Sequence, residues 1–77
     1  MNDYFDTSLL HTTALGMVRI RRNLGLSEDT DPVGFCKDFI ARGCNIRRAG
    51  KNYYCEHDGI TITVNARSLT IITAHSD

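Results

Sequence analysis

The chain has 77 residues, 42% of them apolar and 23% charged, with one proline and six glycines; this describes a single domain over 1–77 and excludes a linker or a repeat array. Nine Lys plus Arg balance nine Asp plus Glu, so bulk attraction to nucleic acid or to an acidic membrane is not implied. No apolar run approaches the roughly 18 residues of a membrane span, and the acidic opening Met1-Asn2-Asp3-Tyr4-Phe5-Asp6 lacks the basic region of a signal peptide; a cytoplasmic chain with no membrane partner is expected.

From about residue 9 to 24, Leu10, Ala14, Met17, Ile20 and Leu24 recur at three- and four-residue steps and predict an amphipathic helix. Thr12 or Thr13 supplies its cap oxygen, or an earlier cap at Asp6, Thr7 or Ser8 carries the helix through His11. Gly25 is its natural stop. Asp31 and Pro32 then suit the cap and first turn of a second helix. Val33, Cys36, Phe39 and Ile40 form its apolar stripe, and Gly43 ends it.

From residue 45 the period changes to two. Asn45 to Arg48 and Asn52 to Glu56 read as strands joined at Ala49-Gly50-Lys51, and Asp58-Gly59 marks a tight turn before Ile60-Thr61-Ile62-Thr63-Val64. A last strand covers Leu69 to Ala74. Helices first and strands second predict an α+β fold, with two main helices packed on one face of a three- or four-stranded antiparallel sheet. Ile60, Ile62 and Val64 should face the helices, in one core with Leu10, Met17, Ile20, Phe39 and Ile40. Thr61, Thr63 and Asn65 fall on the other face, open to water or to a ligand. Because Ile71 and Ile72 are both apolar, the last strand is expected to be central and covered twice, with the side taken by His75 left open.

Arg19, Arg21 and Arg22 form one basic window and Arg42, Arg47, Arg48 and Lys51 another, with no acid inside either. Adjoined in space, they would give a neutral chain a cationic face for phosphates. His11-Thr12-Thr13 stands at or before a helix start, where free N–H groups favour an anion, and Thr73-Ala74-His75 ends the last strand. Two imidazoles with hydroxyls and cations nearby are the groups needed to move protons at a phosphate. The expected catalytic set is therefore His11, His75 and Lys51, with Thr12, Arg19, Arg22, Arg48, Tyr53 and Thr73 binding substrate. Tyr53 or Tyr54 would stack on a base. The spacing Cys-x7-Cys-x10-Cys-x-His over Cys36, Cys44, Cys55 and His57 lacks the close pairs of a zinc site, so no metal or other cofactor is expected, and free thiols are the default.

The words Leu10-His11-Thr12-Thr13 with Gly16 and Arg19-Ile20, then Gly50-Lys51-Asn52-Tyr53-Tyr54, Ile62-Thr63-Val64-Asn65 and Ile71-Ile72-Thr73-Ala74-His75 resemble the short prokaryotic family called domain of unknown function 3781. That resemblance covers nearly the whole chain and implies helices followed by strands, with no established activity. More remotely, a helix bearing His or Arg before a strand meander resembles the small ribonuclease toxins of the barnase, colicin and RelE type. It implies a sheet-face site, for which His11, Arg19, Arg22, Lys51, Tyr53, Thr73 and His75 are candidates. The zero net charge departs from the basic balance of such toxins, and Glu56 is the one acid placed as an obvious base.

The expected function is binding of a phosphate-bearing ligand, RNA or a nucleotide, most concretely as a metal-independent ribonuclease. The alternative is a non-enzymatic bacterial or phage-encoded protein that sequesters a nucleotide or inhibits a host protein. A host or antitoxin protein is a further expected partner. Because a chain of this size buries only about 60% of its unfolded surface, a homo-oligomer is also expected.

Overall fold

The computed structural model describes residues 2–77. After a short 3₁₀ turn at Thr7–Leu9, helices α1 (Ala14–Leu24) and α2 (Pro32–Arg42) precede strands β1 (Asn45–Ala49), β2 (Asn52–His57), β3 (Ile60–Asn65) and β4 (Ile71–Ser76). The strands form one antiparallel meander in the order β1-β2-β3-β4. This is an α+β fold, as the change of hydrophobic period predicts.

Helix α1 starts at Ala14, later than the apolar stripe suggests, because the side chain of Thr13 caps it by accepting from the Gly16 amide at 3.0 Å. Residues 10–12 are extended instead. Asp31 caps α2 by accepting from the Val33 amide, and Pro32 fills the first turn, where its missing N–H costs nothing. The β2–β3 turn places both Asp58 (φ 51°) and Gly59 (φ 80°) in the left-handed region. A two-residue hairpin loop needs that twist, and Asp-Gly supplies it with little strain.

The core comprises Leu10, Ile20, Cys36, Ile40, Cys55, Ile62, Val64, Ile71 and Ala74. Ile62 faces Cys55 on one side and Ala74 on the other, so one row of cross-strand neighbours points at the helices. Phe39 and Ile60 pack at the margin of this cluster. Met17 departs from expectation. It lies at the exposed edge of α1, while Gly16 and Ile20 make the buried contact.

The last strand is also corrected. It is an edge, not a central strand, and it begins at Ile71 rather than Leu69. The Asn65 side chain accepts from the amides of Arg67 and Ser68, both at 2.9 Å, and so builds a turn in which Leu69 is left-handed at φ 60°. Thr63 pairs with Thr73 and Val64 with Ile71, leaving Ile72 as the extra residue of a β-bulge. The bulge explains two adjacent isoleucines without a second apolar layer: Ile71 is buried and Ile72 is exposed.

The extended residues before α1 clasp the start of β4. The Ile71 amide donates to the His11 carbonyl at 2.7 Å, and the Thr12 hydroxyl donates to the Ile71 carbonyl at 2.8 Å. A Cβ at residue 16 would run into the Thr12 hydroxyl and lie 3.2 Å from that of Thr13. Alanine would therefore have to displace a hydroxyl already committed to Ile71. We expect Gly16→Ala to lower the urea midpoint, because overpacking costs about 1–3 kcal/mol against a helix-propensity gain of about 1 kcal/mol. In a Thr12→Ala background the same change should be neutral or stabilising, and equal losses in both backgrounds would count against the clasp.

Candidate functional site

Both helices contribute to the same core, so their packing covers one sheet face and leaves the other open. Register defines what the open face carries. One cross-strand row runs Arg47, Tyr54, Thr63, Thr73, and the next runs Asn45, Glu56, Thr61, His75. Rows on one face are spaced by two residues, about 7 Å. The surface is polar, with a cation, a phenol ring, a carboxylate, an imidazole and three threonines.

The Arg47 guanidinium lies 4.8 Å from the centre of the Tyr54 ring. Its Nε is 3.7 Å from Glu56, and both side chains of that pair are about half exposed, so the contact orients more than it stabilises. Asn52 donates to the Tyr54 hydroxyl at 3.4 Å, a long bond that steadies the ring. Thr63 is buried between its neighbours, whereas Thr73 is partly exposed and His75 is exposed. The arrangement presents a planar cation against an aromatic ring, and a carboxylate and an imidazole two strands apart on the same face.

Of the catalytic and substrate-binding set expected from sequence, Thr73 and His75 stand on this face. His11 does not join them. It bridges Thr70 at the start of β4, while His75 is near the end of that strand. Five residues at about 3.3 Å each put the two roughly 16 Å apart along the strand, so a single chain gives them no common site. The ring of His11 is also engaged: Nδ1 donates to the Leu9 carbonyl and Nε2 meets the Thr70 hydroxyl, both at 3.0 Å. Thr12 is committed to the clasp.

Tyr53 and Arg48 point to the helix side of the sheet. Tyr53 packs against Phe5 and Tyr4, with ring centroids 5.0 and 5.7 Å apart, and Arg48 lies 5.5 Å from its centre. Lys51 occupies the β1–β2 turn, at the end of the sheet away from His75. Arg19 and Arg22 are exposed on α1, beyond the covered face, so the two basic windows do not merge. Arg21 turns the other way and donates to the Thr30 carbonyl at 3.2 Å, tying α1 to the approach of α2. Arg47, Tyr54, Glu56 and Thr61 stand outside the catalytic and substrate-binding set expected from sequence, although Arg47 belongs to a basic window, Tyr54 is an alternative stacking ring, Glu56 the one acid placed as a base and Thr61 an open-face residue. The signal that finds them is alternation: they share parity with Thr63 and His75 once the pairing register is known.

The cysteines lie apart from this face. Burial pushes the thiols of Cys36 and Cys55 up to about 12, and burial also raises that of Cys44. Among the described residues, no three or more His, Cys, Asp or Glu side chains are grouped to hold a metal ion. No helix of the described residues is long and apolar enough to cross a membrane.

The family described as Protein of unknown function (DUF3781) matches residues 5–75, and the chain belongs to it. No curated protein and no solved structure matches the chain.

Because the thiolate is the reactive form, the native protein at neutral pH should react with a thiol reagent at Cys44 alone, the one cysteine that is not fully buried. Mass spectrometry of the labelled peptides checks this, and equal labelling of Cys36 or Cys55 in folded protein would refute it.

Proposed function

We propose that the open sheet face binds single-stranded RNA, with Arg47 taking a phosphate and Tyr54 stacking on a base. The observation that carries this reading is the Arg47–Tyr54 pair, 4.8 Å apart, on the sheet face opposite the core that the helices share. Guanidinium forks match phosphate oxygens, and any base can stack on a phenol ring, so recognition of this kind tolerates sequence. Asn52, two residues before Tyr54, and Thr73, two strands from Tyr54 in the same row, add neutral hydrogen-bonding groups to a bound strand.

The row Glu56, Thr61, His75 favours cleavage of the bound strand as well. Glu56 and His75 are two strands apart, about 9.5 Å between backbones, which leaves room for a phosphodiester between their side chains. Glu56 takes the proton of a ribose 2′-hydroxyl, the 2′-oxygen attacks phosphorus, and His75 gives a proton to the departing 5′-oxygen. The products are a 2′,3′-cyclic phosphate and a 5′-hydroxyl, with Arg47 beside Glu56 countering charge on the phosphoryl oxygens. His11 has no part in this step. If the protein binds without cleaving, the sequestering role expected as the alternative stands on the same face.

Labelled single-stranded RNA in EDTA tests both steps. Arg47→Ala and Tyr54→Ala should each weaken binding about tenfold or more, the scale of a stacked base or a phosphate contact. Loss of Arg47 should also flatten the salt dependence by about one phosphate. Arg19→Ala and His11→Ala should leave affinity unchanged at constant fold stability. His75→Ala should lower cleavage about a hundredfold or more while binding persists. Absence of RNA binding at low salt, or binding indifferent to Arg47 and Tyr54, would remove this reading.

A further inference from the structure

The two edges of the sheet are chemically unlike. β1 carries Arg47 and Arg48, with Arg42 before it and Lys51 after it, and such charges keep an edge from pairing with other strands. β4 carries no Lys, Arg, Asp or Glu anywhere from Thr70 to Ser76. Only its start is covered, by the clasp at His11 and Thr12.

Most of the exposed large apolar side chains follow the same division. Leu15 (58% exposed), Val18 (52%), Met17 (37%) and Ile72 (42%) belong to β4 or to helix α1 packed along it, while Leu9 and Tyr4 are the exposed large apolar side chains that lie elsewhere among the described residues. Leu15 and Val18 are three residues apart, on one exposed face of α1.

We propose that this side of the molecule is a homodimer interface, in which β4 pairs antiparallel with β4 of a second copy and the α1 faces close beside it. A second copy is the occupant that the charge pattern fits. A strand with no Lys, Arg, Asp or Glu can lie against itself about a two-fold axis without opposing permanently charged side chains, whereas β1 against itself would oppose arginines. The copies also have no net charge to repel them. Residues Thr73 to Ser76, past the bulge, supply the free ladder groups, and Ile72, Leu15 and Val18 supply apolar area. The two open faces would then join into one eight-stranded surface with the two His75 side chains near the axis. The pairing stands independently of RNA binding.

Sedimentation velocity on the full chain, from about 1 to 300 μM, tests it. A dimer is expected, with Val18→Glu and Ile72→Lys each raising the dissociation constant at least tenfold. Both positions are exposed, so circular dichroism and the urea midpoint should hold close to those of the parent. Arg47→Glu, on the opposite edge, should leave the dimer intact. A monomer throughout this range would overturn the proposal, and so would a dimer that tolerates both substitutions or is broken by Arg47→Glu.

Discussion

The clasp between residues 11–12 and the start of β4 decides how the rest of the molecule is arranged. It joins backbone and side-chain groups 59 positions apart in the chain. Hydrogen bonds of this kind contribute only about 1 kcal/mol each, but they fix where α1 begins and which face of the sheet it covers. Gly16 lets the first turn of α1 come down on Thr12, and Ile20, one turn later, reaches the core. Burial of the helices on a single face is what leaves the other face free. The open surface therefore depends on contacts that lie outside it.

Those contacts also explain which parts of the fold were legible in the sequence. β3 was clear because Ile60, Ile62 and Val64 alternate strictly with threonines, and a strand with one buried side has no other register available. Asp31-Pro32 and Asp58-Gly59 were legible because each residue type has a single cheap conformation at its position. The start of α1 was not, because the apolar spacing of Leu10 and Ala14 continues the helical period across residues that are extended. Leu10 is buried by tertiary contact, not as part of the helix stripe. Ile71-Ile72 misled for a related reason: a bulge places adjacent residues outside the alternation, and no local propensity announces it.

The candidate site was legible in chemical type more than in membership. A histidine, an arginine and a tyrosine do stand on the open face, but sequence proximity sorted these residue types poorly. Arg47 and Arg48 are neighbours whose guanidinium groups lie over different tyrosines, on opposite faces of the sheet. Tyr53 and Tyr54 separate in the same way, one packed on Phe5 and the other half-buried beneath Arg47 on the opposite face. Such pairs can be assigned only once the inward parity is known, and Cys55 reveals it by pairing with Ile62.

The two histidines show how satisfaction of hydrogen bonds separates a structural role from a chemical one. The carbonyl of Leu9 can only accept, so a neutral His11 must carry its proton on Nδ1, and Nε2 is then directed at Thr70. A proton-transfer group has to exchange partners during a reaction, and exchange here would loosen the clasp that holds α1 in place. His75 carries no such obligation. It stands on the exposed face in register with Thr61, two strands from Glu56. Of two imidazoles that look equivalent in the sequence, the fold uses one to build the sheet edge and leaves the other available.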